Sequence, residues 1–341
     1  MKKGITVAGN LLVDHNREVD FYPEHSSLVK INKSYNTLGG AVCNSGIALA
    51  KLDQDLQVNA LGIIGDDADG HEILTTMQKY PNLDCSQIIF GQSDTSYTDV
   101  ILDMTNNTRT FFSYAGTNAE LGPEHFDFDA IDSDILHIGY ILLLDRLDVS
   151  DSQYGTKMAR VLYEAQMAGL RTSIDVVTEQ SDRFSTIVPP AIKYTNFCII
   201  NEEEAARTVK RSVRDISGNL KVEECKKVCE ELFELGVQDW VIIHAREGGI
   251  GLDNNGNFFA EASLNIPPED IKGTTGAGDA FLAGALYGAW KGYDIEKSLK
   301  LAIGTSNASL IESGPTEGIK SEKEIWKFYN SMEKEQWEGF N

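Results

Sequence analysis

Residues 273–279, Gly-Thr-Thr-Gly-Ala-Gly-Asp, combine a glycine loop with one acid and suggest chemistry more clearly than any other segment. Gly276 and Gly278 have no Cβ, so the backbone there can approach a ligand closely. The apolar run after Asp279 predicts a buried helix, and the unpaired N–H groups at a helix N-terminus bind anions. Gly276, Ala277 and Gly278 would then stabilise a phosphoryl group while Asp279 accepts the proton of an attacking hydroxyl. The alternative is an ordinary acid in the first turn of a helix.

A second pair of glycines, Gly39 and Gly40, precedes a predicted helix that has Asn44 in its first turns. This pattern brings the backbone close to a ligand, and the Asn44 amide can hydrogen-bond to ligand hydroxyls. Asp14 follows the first predicted strand and can accept hydrogen bonds from further hydroxyls. A tight turn with a capping Asn, and an ordinary loop acid, are the alternative interpretations.

Asn201 and Glu204 follow the apolar run FCII and lie three residues apart, on one face of a predicted helix. Oxygen groups of this kind hold hydrated Mg²⁺ through its water molecules, which makes Glu204 a candidate water-mediated magnesium contact. The alternative is an acidic helix start that the helix dipole stabilises, because residues 202–204 are all Glu.

Predicted strands alternate with predicted helices through most of the chain. The strands are residues 5–9, 56–64, 135–139, 172–177, 197–200 and 240–244, and the helices are 45–52, 158–167, 222–235 and one from 280 onward. This alternation predicts an α/β fold with a mostly parallel sheet and helices on both faces. Ligands bind such sheets beyond the carboxyl ends of the strands. Asp175, Asn201, His244 and Arg246 collect at those ends, which predicts one active-site edge.

Two segments, residues 14–38 and 95–118, interrupt the alternation with the period-2 patterns of antiparallel hairpins. The turn-like pair Asn106-Asn107 separates two of their strands. These segments predict a small antiparallel β-lid outside the main sheet. A lid of this kind can exclude water from a phosphoryl-transfer site.

The composition limits the classes of partner. A net charge of −22 over 341 residues argues against a nucleic-acid partner and against an anionic membrane surface. No run of about 18 apolar residues is present to span a membrane. The five scattered cysteines suit reduced thiols in a cytoplasmic enzyme, and the i, i+4 pair Cys225 and Cys229 is interpreted as core packing. His137, late in a predicted strand, is interpreted as a hydrogen-bonded residue near the core.

The chain resembles the ribokinase-like, phosphofructokinase B-type carbohydrate kinases along nearly its full length. NTLGGAVCNSGIALAKL with LGIIGDDADG matches the N-terminal signature of the family, GTTGAGDAFLAGALYG matches the C-terminal signature, and INEEEA falls between them. The resemblance implies a three-layer sandwich over residues 1–341 as a single domain, with a β-lid formed by about 12–38 and 95–118. It also implies transfer of the ATP γ-phosphate to a hydroxyl, usually an exocyclic CH2OH.

The resemblance implies roles for individual residues, position by position. Asp279 matches the catalytic base, and Gly276, Ala277 and Gly278 match the anion hole. The implied substrate contacts are Asp14, Gly39, Gly40, Asn44 and the lid residues Arg109 and Asn118. The implied nucleotide contacts are Asn201, Glu204, His244, Arg246, Gly248 and Thr274, with Glu204 also tied to Mg²⁺.

Several positions depart from the family pattern. Gly273 stands where potassium-activated members have Asp, so a potassium requirement is not expected. His244 and Arg246 replace a usual Thr and Gly in the nucleotide segment. Leu12 replaces an Asn of ribokinase, which argues against a strict ribose site.

The sequence therefore predicts a cytoplasmic sugar kinase that uses ATP and Mg²⁺ and forms a homodimer through its lid. A nucleoside kinase on the same fold is the first alternative. A non-catalytic sugar-sensing regulator derived from a kinase is the second, although the base and the glycines that such a protein would lose are present. A dehydrogenase fits poorly, because GNLLVD rather than a G-x-G-x-x-G turn follows the first strand.

Overall fold

The computed structural model describes residues 3–179 and 181–337, which form fifteen strands and nine α-helices. The strands are β1 Ile5–Gly9, β2 Leu12–Val19, β3 Ile31–Gly39, β4 Val58–Ile64, β5 Leu83–Phe90, β6 Tyr97–Asp103, β7 Thr108–Tyr114, β8 Ile135–Ile141, β9 Ser150–Asp151, β10 Gly155–Thr156, β11 Arg171–Val176, β12 Phe197–Asn201, β13 Trp240–Ala245, β14 Gly248–Asp253 and β15 Phe258–Ala262. The helices are α1 Ala41–Leu52, α2 Ala68–Met77, α3 Lys157–Met167, α4 Phe184–Ile192, α5 Glu202–Val209, α6 Val222–Leu235, α7 Ala277–Lys291, α8 Ile295–Leu310 and α9 Glu322–Ser331.

Nine strands form one sheet in the order β15-β14-β13-β12-β11-β8-β1-β4-β5. Every pairing from β13 to β5 is parallel, whereas β14 and β15 extend the β13 edge in antiparallel pairings. The predicted mostly parallel sheet is confirmed. The two edge strands were not predicted, because β14 contains three glycines and glycine weakens the strand signal.

Side chains of the sheet alternate between two apolar cores. Ile199 and Ile242 belong to the core that α1, α2, α7, α8 and α9 cover, and Ile200 and Ile243 belong to the core under α3, α4, α5 and α6. Burial of both faces gives the strands their continuous apolar runs. Cys225 and Cys229 pack in the second core as free thiols, as predicted. Two helical layers around one sheet confirm the three-layer sandwich.

Glycines set the starts of the two helices that meet at the site. Helix α7 begins at Ala277 after Gly276, whose φ of 77° is left-handed, and α1 begins after Gly40, whose φ is 86°. Both helices were predicted to begin three or four residues later, at 280 and 45. The earlier starts place the glycine backbone at the helix N-termini themselves, where N–H groups lack partners within the helix.

The lid is a separate four-stranded sheet of order β3-β2-β6-β7. Two antiparallel hairpins, β2 with β3 and β6 with β7, form it as predicted. The hairpins join through a parallel pairing of β2 with β6, from Val13 opposite Tyr97 to Val19 opposite Asp103. Asn107 adopts a left-handed φ of 52° in the predicted turn between β6 and β7. The lid therefore consists of two distant chain segments held in one register.

Candidate active site

The carboxyl ends of the parallel strands form one edge of the main sheet, and the N-termini of α1 and α7 meet at the same edge. Tyr140 lies in β8, Asp175 in β11, Asn201 ends β12 and His244 lies in β13. With Glu204 and Asp279, these residues line one cavity of about 290 Å³. The predicted active-site edge thus brings the polar residues of four strands against the first turn of α7.

Asp279 lies in the first turn of α7 and is only 7% exposed. Its Oδ2 accepts a hydrogen bond of 2.9 Å from Nδ2 of Asn44, and its Oδ1 accepts one of 2.7 Å from the hydroxyl of Tyr140. Burial raises the pKa of Asp279, while these two hydrogen bonds lower it. The carboxylate is therefore oriented by donors from two other elements before any ligand binds.

The two glycines before α1 lie close to other parts of the chain, Gly40 to backbone and Gly39 to side chains. A Cβ on Gly40 would lie 2.4 Å from the carbonyl oxygen of Asn10, and a Cβ on Gly39 would lie 2.9 Å from Oδ2 of Asp14. The close packing brings the lid acid Asp14 against the start of α1. Of the predicted sugar contacts, the structure thus brings Asp14, Gly39, Gly40 and Asn44 together beside Asp279.

Asp14 links the lid electrostatically to Asp279. Burial and the negative charge of Asp279 raise the pKa of Asp14 to about 6, against lowering contributions from His15 and Arg109. Nη1 of Arg109 donates a 2.5 Å hydrogen bond to Oγ1 of Thr275 in the glycine loop. The lid therefore contacts the glycine loop directly through Arg109, and the substrate role predicted for this arginine stays a prediction.

We expect Asp14→Asn to stabilise the fold above neutral pH. The pKa of about 6 exceeds the ordinary 3.8, so stability present below about pH 4 is lost as the pH rises through 6. The Asn side chain does not ionise, so the variant escapes this loss. After discounting for partial exposure, we expect its free energy of unfolding to exceed that of wild type by roughly 1–2 kcal/mol at pH 8 and to differ little at pH 4. Urea unfolding at pH 4 and pH 8 measures this difference in the free energy of unfolding between the variant and wild type. Asp129→Asn, at an exposed loop acid, is the control; equal stability of the Asp14→Asn variant and wild type at pH 8 would contradict the expectation.

Asn201 and Glu204 form a capping box at the start of α5. The Asn201 side chain accepts from the Glu204 N–H at 2.8 Å, and the Glu204 carboxylate accepts from the Asn201 N–H at 3.0 Å and from the Thr178 hydroxyl at 2.9 Å. Glu204 is buried, which raises its pKa to about 7. The pair therefore does form the start of a helix, which was the alternative interpretation. Glu204, however, lies in the cavity wall rather than in solvent.

Two residues of the cavity were not assigned roles from the sequence. Asp175 is 8% exposed, its Oδ1 has no hydrogen-bond partner, and burial with the charges of Asp279 and Glu204 raises its pKa well above the usual range. The position of Asp175 at a strand end was recognised. Tyr140 was missed, because a single Tyr after an apolar strand gives no motif; its place at a strand's carboxyl end was the available signal.

His137 lies in the interior beside the site. It is fully buried, and its Nδ1 lies 3.1 Å from Oγ of Ser173 on the neighbouring strand. Its Nε2 has no hydrogen-bond partner and lies 3.8 Å from Oδ1 of Asp175. Burial lowers the pKa of His137 to about 3, so the ring is neutral. The predicted near-core position of this histidine is confirmed. Of the two ring nitrogens, Nδ1 has the predicted hydrogen-bond partner and Nε2 has none among the described residues.

A second cavity of about 510 Å³ lies on the other side of the glycine loop. His244, Arg246 and Thr274 line it, together with Phe281 and Ile303 of the helical layer. The His244 ring packs against Gly278, where an added Cβ would lie 3.3 Å from Cε1. Burial lowers the pKa of His244 to about 4, so its ring is neutral. The two cavities share His244 and Gly278, which places the glycine loop between them.

Gly248 and Asn118 lie outside these cavity walls. Gly248 is buried at the start of β14, where it pairs with Ala262. Asn118 is 3% exposed, and its Oδ1 accepts a 3.0 Å hydrogen bond from the Leu11 N–H. Both positions have structural contacts, and the ligand roles predicted for them stay predictions.

The residues at this edge suit a divalent cation carried by a polyanion. Asp175 and Glu204 are buried acids without a cationic side chain among the residues lining their cavity, and Asp175 has an unpartnered oxygen. Within the described residues, no group of three or more His, Cys, Asp or Glu side chains is arranged to hold a metal ion by itself. Mg²⁺ commonly keeps several waters and binds one or two carboxylates plus substrate phosphates, which matches this donor set.

The fold and the site define the class of ribokinase-like sugar kinases. A family model described as pfkB family carbohydrate kinase matches residues 2–322. The chain belongs to this family, whose enzymes transfer phosphate from ATP to sugar hydroxyls. The family assignment confirms the predicted enzyme class and places both signature segments within the matched range.

Individual relatives differ in their acceptors. The chain is 23% identical over 312 residues to a nucleoside kinase of Methanocaldococcus jannaschii, covering 90% of this chain and 89% of that protein. It is 24% identical over 300 residues to a 5-dehydro-2-deoxygluconokinase of Geobacillus thermodenitrificans, covering 81% and 78%. The structure of Arabidopsis thaliana ribokinase complexed with ribose and ATP superposes with a TM-score of 0.78 at 18% identity, covering 96% of this chain and 99% of that chain. That structural likeness confirms the fold.

Proposed function

We propose that this kinase phosphorylates the hydroxymethyl group of a neutral sugar, with Asp279 as the base and residues 276–278 as the anion hole. The observation that carries the proposal is the position of Asp279. Its buried carboxylate lies in the first turn of α7, directly after the glycine loop, with both oxygens held by donors. The base and the anion-binding backbone therefore belong to one rigid element.

The acceptor is bound between the lid and α1. Asp14 packs against Gly39, and Asn44 is hydrogen-bonded to Asp279, so these residues connect the lid with the start of α1. Their oxygen and amide groups, with the backbone of Gly40, suit sugar hydroxyls. Arg109 and Asn118 belong to the lid side. Among the described residues that line the lid cavity, Arg109 is the one cationic side chain, and Asp14 lines the same cavity. Because Asp279 and Asp14 add negative charge beside that cavity, a neutral acceptor is favoured over a sugar acid or a sugar phosphate.

ATP lies along the second cavity, with its γ-phosphate at the glycine loop. His244, Arg246 and Thr274 line that cavity. Gly248 begins β14, directly after the turn that follows β13. Glu204 and the capping Asn201 would hold the water molecules of a phosphate-bound Mg²⁺, which would supply positive charge to the phosphates. Asp279 accepts the hydroxyl proton, and the N–H groups of residues 276–278 stabilise charge on the transferred group. The lid excludes water from the reaction through its Arg109 contact.

A nucleoside is the second candidate acceptor. The lid cavity has an apolar and aromatic wall made of Tyr35, Val100, Leu102 and Phe111. A nucleobase stacks on such a wall while its ribose hydroxyls reach Asp14. The nucleoside kinase relative of Methanocaldococcus jannaschii is consistent with this candidate.

An acceptor screen tests the proposal. Purified protein with ATP and Mg²⁺ is offered neutral pentoses and hexoses, nucleosides, sugar acids and sugar phosphates, and ADP formation is followed for each. We expect turnover with a neutral compound, and ³¹P NMR of the product to show phosphate on a CH2O group. A preference for anionic acceptors would contradict the neutral site. Sugar binding without ATP consumption by any acceptor would favour the non-catalytic regulator. Gly273 supplies no side-chain oxygen for a monovalent cation, which supports turnover without added potassium.

A homodimer through the lid is part of the proposal. The lid presents large apolar side chains to solvent from both of its segments; these are Phe21, Tyr22, Leu28, Phe112 and Tyr114. An exposed apolar patch of this kind is typical of an association surface. We expect wild type to sediment as a dimer and Leu28→Asp, at a residue 91% exposed, to shift it to the monomer. Ile216→Asp, at an exposed apolar residue outside the lid, is the control. A monomeric wild type would remove the dimer from the proposal.

A cytoplasmic location also belongs to the proposal. None of the helices in the described part of the chain has the length and apolar character needed to cross a membrane. All five cysteines are free thiols. Reduced thiols suit a reducing compartment, where ATP is also available.

A further inference from the structure

Tyr140 is held in place by a buried asparagine. Its backbone N–H donates a 2.9 Å hydrogen bond to Oδ1 of Asn10, and Nδ2 of Asn10 donates to the carbonyl of Leu143 at 3.2 Å. Asn10 is 2% exposed, so both contacts are shielded from water. The backbone of Tyr140 is therefore fixed by Asn10, and the ring is held by its hydroxyl contact with Asp279.

The hydroxyl of Tyr140 is the donor in its contact with Asp279. The O···O distance of 2.7 Å lies in the range of hydrogen bonds from a hydroxyl to a charged carboxylate. Burial and the neighbouring acids raise the pKa of Tyr140 well above its usual value, so the phenol keeps its proton. A permanent O–H donor thus faces the carboxylate that the proposed function assigns as the base.

Burial and the acids near Asp279 oppose its negative charge, whereas the N-terminus of α7 favours it. In their ionised forms, Asp14 from β2 and Asp175 from β11 repel Asp279, although burial raises the pKa of both, and the Cys43 thiol of α1 adds no charge in its protonated form. His244 from β13 is neutral. The side chains that favour the ionised form of Asp279, in addition to the helix N-terminus, are therefore Asn44 and Tyr140.

We propose that Tyr140 is a positioning residue whose hydrogen bond keeps Asp279 ionised. The proposal rests on the proposed function, because it assigns Tyr140 a part in the work of that base. A hydrogen bond to the charged form of an acid favours that form. Tyr140 thereby lets a buried carboxylate remain a base near neutral pH, at the cost of some intrinsic basicity.

Removal of the Tyr140 hydroxyl should therefore change kcat/KM in opposite directions at low and high pH. Without the phenol, the pKa of Asp279 rises, so a larger fraction is protonated at acidic pH and kcat/KM falls there. Above that pKa, the variant carboxylate is fully ionised and more basic, so its rate equals or exceeds that of wild type. Structural damage would instead lower the rate at every pH.

The test is titration of the Asp279 carboxyl carbon by ¹³C NMR in wild type and in Tyr140→Phe, with Asp279→Asn assigning the signal. This readout needs no turnover, so its failure is distinguishable from failure of the proposed function. We expect the pKa to rise by roughly one to two pH units, the range for a hydrogen bond to a charged group. Tyr287→Phe is the matched control. Tyr287 lies further along α7, and its hydroxyl also donates to carboxylates, those of Asp53 and Glu322. This variant should leave the Asp279 titration unchanged.

A second substitution covers the case in which Tyr140→Phe does not fold. 3-Fluorotyrosine introduced at position 140 has nearly the same shape but is a stronger donor, so it should move the Asp279 pKa and the acid limb of kcat/KM to lower pH. Opposite shifts for the two substitutions establish the inference. A titration that stays in place, or moves in the same direction in both, overturns it.

Discussion

Asp279→Asn lowers kcat by at least about 10², the expected loss when a general base is removed. The amide keeps the shape of the side chain but cannot accept the proton of the attacking hydroxyl. Because burial disfavours the charged form of Asp279, replacing it with a neutral amide should not weaken the fold. We therefore expect an unfolding midpoint at or above that of wild type and unchanged ATP binding. Steady-state kinetics with the best acceptor, together with calorimetric titration of nucleotide, separate the two effects.

Asp294→Asn is the matched control for this prediction. Asp294 caps the N-terminus of α8 and accepts from the Lys297 N–H at 2.8 Å, beyond the opposite end of α7. Asn caps helices as well as Asp does, so this variant should keep both stability and kcat. Near-wild-type turnover by the Asp279→Asn enzyme would remove Asp279 from the role of base.

Gly276→Ala should produce the second large loss. Gly276 has a left-handed φ of 77°, and an added Cβ would lie 2.5 Å from Cβ of Pro315. A non-glycine residue in this conformation costs about 1–2 kcal/mol, and the clash forces the loop to move. Loss of one donor from an anion hole lowers kcat by about 10²–10³. We expect a loss of that size in kcat, measured under saturating ATP and acceptor.

Gly292→Ala separates backbone strain from damage to the site. Gly292 ends the same helix with a φ of 81°, but among the described residues no atom beyond its chain neighbours lies within 4 Å of an added Cβ. This variant should lose about as much stability through strain and keep its kcat. If the Gly276 and Gly292 variants lose equal activity, the loop geometry is not what supports phosphoryl transfer.

The sequence predicts the elements of this protein well where burial and glycine chemistry determine them. The apolar runs of β1, β8, β11, β12 and β13 are strands because both faces of the sheet are buried. The edge strands β14 and β15 escaped prediction because Gly248, Gly249 and Gly251 dilute the signal of the first and neither run resembles the buried strands. Antiparallel pairing at a sheet edge depends on contacts that no local pattern encodes.

The site likewise contains residues that local sequence predicts and residues that only the folded chain brings together. The glycine loop and Asp279 are predictable, because a special backbone and a charge are close together in the chain. Tyr140 and Asn44 reach Asp279 across 139 and 235 residues, and tertiary packing alone brings them together. The Asn201 and Glu204 pair shows the reverse case. Its local spacing correctly suggests helix-start chemistry, while the burial that turns Glu204 into the cavity could be seen only in the folded chain.

The two-segment lid constrains how acceptor preference can be re-engineered. The proposed acceptor-facing surface combines β2 and β3 with β6 and β7, and the parallel β2–β6 ladder joins the two hairpins over seven residue pairs. Grafting one hairpin from a relative would replace half of the surface and leave that ladder with mismatched cross-strand neighbours. Exchange of specificity between members of this family should therefore transplant both segments together, with the ladder as the conserved joint.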